Sequence, residues 1–60
     1  MKNPILRAQH YLDQAETMQR LASAETDPVS REALLDLAKS YTRLAARFLQ
    51  MGKDTSEREH

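Results

Sequence analysis

Alanines recur at seven-residue intervals in both halves of this chain, Ala8, Ala15 and Ala22 in the first and Ala38 and Ala45 in the second, among larger apolar residues. In the first half the apolar positions are Ala8, Tyr11, Leu12, Ala15, Met18 and Ala22, with Ile5 and Leu21 at the margins. Steps of three and four place such residues on one face of an α-helix, whereas a half-buried strand alternates at every second position. In the second half Leu34, Leu37, Tyr41, Leu44, Phe48 and Met51 keep the same steps without a break, which is the pattern of a heptad seam. Leu35, Ala38, Ala45 and Leu49 widen that seam sideways, so its apolar arc exceeds what one partner helix covers.

The boundaries are legible from local chemistry. Asn3-Pro4 and Asp27-Pro28 each pair a residue whose side chain accepts from free helix amides with a proline, which fits the first helical position because no intrahelical donor is lost there. The spacing predicts helix one over about 4–24 and helix two over about 28–51. Gly52 is expected to stop helix two in a left-handed cap, leaving residues 53–60 as a disordered polar tail. The short connection makes the two helices antiparallel neighbours. The predicted fold is therefore all-α, an antiparallel two-helix hairpin over residues 1–52.

Length turns this hairpin into an expectation of self-association. A chain of 60 residues buries only about 60% of the surface its unfolded form exposes, and without cysteine it has neither disulfides nor thiolate metal ligands. Two hairpins pairing into a homodimeric four-helix bundle would cover the wide arc of helix two. The expected dimer core is Ala8, Tyr11, Ala15, Met18, Ala22, Leu34, Leu37, Tyr41, Leu44, Phe48 and Met51, with alanines where backbones approach closest and the aromatic and methionine side chains filling wider gaps.

Charge and composition narrow the partners only slightly. Nine Lys and Arg balance nine Asp and Glu, so there is no one-sided field of the kind that draws nucleic acid or anionic membrane. Arg7, Gln9 and His10 interrupt the amino-terminal residues, and no stretch approaches the ~20 apolar residues of a spanning helix. A cytoplasmic protein with no membrane association is expected.

No constellation announces a reaction, so no catalytic, cofactor-binding or metal-binding residue is assigned and the chain is read as a non-enzyme. His10 has no ligand partner at useful spacing, and Glu32 with Asp36 and Asp13 with Glu16 fall outside the apolar arcs as solvated carboxylates. Di-metal bundles need inward carboxylates and a Glu-x-x-His pair, which this chain lacks. Lys39, Arg43 and Arg47 form a ridge at steps of four, with Arg31 and Gln50 nearby and Asp36 placed to pair with Lys39. Tyr11 and Tyr41 are expected in the bundle with their hydroxyls at its rim, while Leu6, Leu21 and Leu35 project off the seams as a docking patch for another protein.

The run Tyr11, Ala15-Glu16, Leu21-Ala22, Asp27-Pro28, Arg31, Leu34-Leu35, Leu37-Ala38, Tyr41 and Leu44-Ala45 resembles a pattern in short bacterial helical-hairpin proteins whose function is not established. The resemblance covers about residues 8 to 48 and implies a fold without an activity. In architecture alone the chain is also similar to the Rop-type RNA-binding hairpins, with no shared motif, so no functional residue carries over. The leading functional expectation is a small homodimeric adaptor or regulator acting through protein–protein contacts. The alternative is a dimer that binds RNA or DNA through the ridge of Lys39, Arg43 and Arg47.

Overall fold

The computed structural model describes the backbone of residues 3–58 and the side chains of residues 3–53. It consists of helix α1, Pro4–Ala24, and helix α2, Pro28–Arg58, packed against each other along their length. Helix α1 starts where Asn3 accepts the Ile5 amide on its side-chain oxygen at 2.8 Å and the Arg7 amide on its carbonyl at 3.1 Å. Helix α2 starts at Asp27, whose carboxylate accepts both the backbone amide and the hydroxyl of Ser30 at 2.9 Å. Both prolines occupy first-turn positions, as their missing donor requires.

The connection is tied from both sides. Glu25 closes α1 by donating its amide to the Ala22 carbonyl, and its own carboxylate accepts the Asp27 amide at 3.0 Å. The Arg31 guanidinium then reaches back from α2 and donates twice to the Glu25 carbonyl, at 3.2 and 2.9 Å. A carbonyl left over at the end of one helix is thus satisfied by the first turn of the next.

That tie fixes the register, since Glu25 and Arg31 are equidistant from Pro28 along the chain. At the far end Gly52 lies against Pro4 and Ile5, nearly equidistant again. Between these anchors an antiparallel pair sets Ala8 level with Phe48, Tyr11 with Ala45, Ala15 with Tyr41, Met18 with Ala38 and Ala22 with Leu34. Every layer joins a small residue to a large one. Tyr11 accordingly spans Ala45 and stacks between Tyr41 and Phe48, with ring centroids 5.9 and 5.6 Å away.

The buried side chains among the described residues are Ala8, Ala15, Ala22, Ala38 and Ala45. Each methyl contributes on the order of 0.8 kcal/mol, so most of the apolar stabilisation comes from the half-buried Tyr11, Met18, Leu34, Tyr41 and Phe48 that cover them.

Two expectations change. The face of α2 turned to α1 is Leu34, Ala38, Tyr41, Ala45, Phe48 and Gly52, so the alanines expected at its side occupy its centre. Leu37, Leu44 and Met51, expected in the seam, stay 47%, 36% and 49% exposed. Close backbone approach explains this, because a leucine at every other layer would hold the helices apart. Gly52 does not end α2: it has no positive φ, and the helix continues through Arg58. Gly52 continues the series Ala38, Ala45 as its smallest member, placed for contact with α1. The expected disordered tail is helical as far as Arg58, and residues 59 and 60 lie outside the described residues.

Candidate functional site

Flanking the seam, the hairpin has two sides of different character. On one side Leu12, Glu16 and Gln19 of α1 line a shallow groove with Thr42, and Gln19 and Thr42 line another with Leu35, Lys39 and Arg43. Helical periodicity adds Ile5, Leu49 and Lys53 to this side. Its leucines are rimmed by charge, including the Glu16–Arg20 pair at 3.4 Å, the ion pair that forms among the described residues.

On the opposite side the seven-residue rows are Arg7, Gln14 and Leu21 on α1 and Leu37, Leu44 and Met51 on α2. Tyr11, Met18, Tyr41 and Phe48 lean toward these rows from the seam. Arg7 lies here, its guanidinium 5.6 Å from the Phe48 ring centre, with the His10 imidazole edge-on to Tyr11 at 5.4 Å. Arg47 stands at the outer margin, one turn from Leu44 and from Met51. This side carries fewer charges than the grooved side.

The basic ridge is divided by the same geometry. Lys39 and Arg43 meet at the groove beside Leu35, whereas Arg47 is one turn on and outside that lining. Arg31, expected to reinforce the ridge, is engaged on the Glu25 carbonyl. Asp36 does not pair with Lys39 within ion-pair distance, so the ridge cations carry no carboxylate partner among the described residues. Leu35 and Leu21, read together as a docking patch, lie on opposite sides of the hairpin, and Leu6 stands apart, 63% exposed.

Of the expected dimer core, Ala8, Ala15 and Ala22 are consumed by the contact within the hairpin, with Tyr11, Met18, Leu34, Tyr41 and Phe48 half-buried beside it. Leu37, Leu44 and Met51 remain partly exposed. Both tyrosines are therefore seam-edge residues. The carboxylates at Asp13, Glu16, Glu32 and Asp36 are exposed, and no group of three or more His, Cys, Asp or Glu converges among the described residues. The Asp27 carboxyl is held below its ordinary value by hydrogen bonds from the Ser30 amide and then the Ser30 hydroxyl. Its role is structural, as the start of α2. No helix among the described residues is long and apolar enough to cross a membrane.

One feature escaped the pattern of apolar positions. Gln14 is half-buried, one turn from Tyr11 on one side and Met18 on the other, although it is polar. Leu44 occupies the same place between Tyr41 and Phe48. The signal that would have found it is an internal repeat offset by thirty positions, which matches Ala8 with Ala38, Tyr11 with Tyr41, Ala15 with Ala45, Met18 with Phe48, Leu21 with Met51 and Ala22 with Gly52. In that repeat Gln14 corresponds to Leu44. No protein-family model matches this chain, and neither does a curated protein or a solved structure.

Proposed function

We propose that this chain is a small, non-enzymatic, homodimeric helical adaptor or regulator that works through protein–protein contacts. The observation that carries this reading is the row of Leu37 and Leu44 beside Leu21, large apolar side chains that the pairing of α1 with α2 leaves 47%, 36% and 49% exposed. Contiguous apolar surface on a small helical protein favours association, and the scarcity of other stabilising devices favours a second copy. Dimerisation on one side leaves the grooved side, with Leu12, Leu35 and Leu49, to meet a further protein. Crosslinking in cells from a photoreactive group at Leu49, on the same side as Leu35, tests this. A reproducible protein adduct that disappears with a Leu35→Glu variant supports the adaptor role, and the absence of any adduct above background argues against it.

A second reading has its own support in the unpaired ridge. Lys39, Arg43 and Arg47 lie along one helix, and a dimer would present two such ridges to the phosphates of RNA or duplex DNA. This reading expects binding that falls steeply with salt and is lost when the three residues become Gln. Failure to retain structured RNA or duplex DNA at low salt would remove it.

A further inference from the structure

We infer that the second copy docks on the charge-poor side of the hairpin, with its connection at the opposite end, so that Gln14 meets Gln14 and Leu44 meets Leu44 of the other copy across a two-fold axis. The inference rests on the self-association proposed above and specifies its face and orientation.

The choice of face follows from charge. Burying the grooved side would desolvate Glu16, Lys39 and Arg43, of both signs, whereas the opposite side carries Arg7, already against the Phe48 ring, with Arg47 at its outer margin beside Leu44 and Met51. The molecule extends 51 × 15 × 13 Å, so a rectangle of roughly 770 Å² bounds one long side from above, of the order of the ~800 Å² per partner of a standard stable interface.

Orientation follows from the repeat. The seam repeats between α1 and α2, and two dimers bury this same face of each copy. In one the axis runs along the helices and stacks α1 on α2 of the other copy; in the other it crosses the helices and stacks each helix on its own counterpart. The repeat is broken at Arg7 and Leu37 and at Gln14 and Leu44; Arg7 meets a large apolar residue in either dimer, so the two dimers differ at Gln14 and Leu44. These two residues are nearly level in the hairpin, since they are almost equidistant from Pro28.

With the axis along the helices, Gln14 faces Leu44 of the other copy, and its amide loses water for an apolar neighbour. With the axis across the helices, two Gln14 amides face each other, each able to donate to and accept from the other, and Leu44 packs on Leu44. The heptad rows are symmetric about these positions: Leu37 and Met51 flank Leu44 equally, and Arg7 and Leu21 flank Gln14. A single polar layer in an apolar interface is a known way of specifying register and orientation.

The test uses the absence of cysteine in the chain. Gln14→Cys, Leu44→Cys and Thr42→Cys proteins are made separately, checked for helicity, sedimented over a concentration series, and treated with a short bifunctional maleimide. The expected result is a dimer in which Gln14→Cys and Leu44→Cys each yield covalent homodimer, with Thr42→Cys at least about tenfold less, since crosslinking demands close approach. Crosslinking concentrated at Thr42→Cys overturns the face. Crosslinking only when Gln14→Cys and Leu44→Cys proteins are mixed overturns the orientation. Both results leave self-association standing, whereas a monomer at every concentration defeats self-association and this inference with it.

Discussion

A Cβ added at Gly52 would stand 2.7 Å from Cδ1 and 3.1 Å from Cγ1 of Ile5, so the close approach of α2 to the first turn of α1 depends on the missing methyl. Two effects oppose each other at this position. Alanine is favoured over glycine within a helix by about 1 kcal/mol, but the added methyl must push aside the end of the Ile5 side chain. Gly52→Ala is expected to leave stability nearly unchanged in the native chain and to stabilise an Ile5→Ala chain by about 1 kcal/mol. A double-mutant cycle by urea denaturation reads the difference, and equal effects in both backgrounds would mean that the contact has no energetic consequence.

The small-on-large layers make a paired prediction. Ala38→Met alone overfills the layer it shares with Met18 and is expected to cost about 2 kcal/mol. Combining it with Met18→Ala exchanges the two residues and conserves volume, and should recover at least half of that loss. Thermal unfolding of the three variants measures this. No recovery would place Met18 and Ala38 in different layers.

Arg31 uses its planar fork to donate twice to the Glu25 carbonyl. Lysine keeps the charge but cannot reproduce that geometry. Arg31→Lys should therefore lower the unfolding free energy nearly as much as Arg31→Ala, by about 1 kcal/mol in each case, read from urea denaturation. If lysine instead retained full stability, charge near the end of α1 would matter more than the two hydrogen bonds.

Asp27 gives the hairpin a defined response to acid. Its proton affinity is lowered in the folded chain by the Ser30 amide and hydroxyl, so the unfolded chain binds a proton more readily. The stabilisation is fully present above the ordinary carboxylate value and is lost as pH falls through the lowered folded value. Asp27→Asn keeps an acceptor for the Ser30 amide without titrating. Its helicity should show a weaker decline between about pH 4 and the acid limit than that of the native chain. Parallel acid titrations followed by circular dichroism would refute this account if the two curves had the same shape.

The helices, their first residues and their antiparallel pairing were legible in the sequence because each depends on local chemistry: steps of three and four, Asn3-Pro4, Asp27-Pro28, and a connection too short for any other path. The sequence also marked Ala8, Ala15, Ala22, Ala38 and Ala45 as small residues at heptad spacing, and these are the buried set. Side-chain size along one helix did not reveal which of two adjacent rows on α2 faces α1. Leu37, Leu44 and Met51 are the larger and more apolar row, yet the tertiary structure turns Ala38, Ala45 and Gly52 inward. Tyr11 and Met18 of α1 already supply the bulk in those layers, and two large residues cannot share one. The same partner-dependence kept Gly52 within a helix that its local preference would have ended. It also separated Leu21 from Leu35, because the sides of a hairpin exist only once its helices have met.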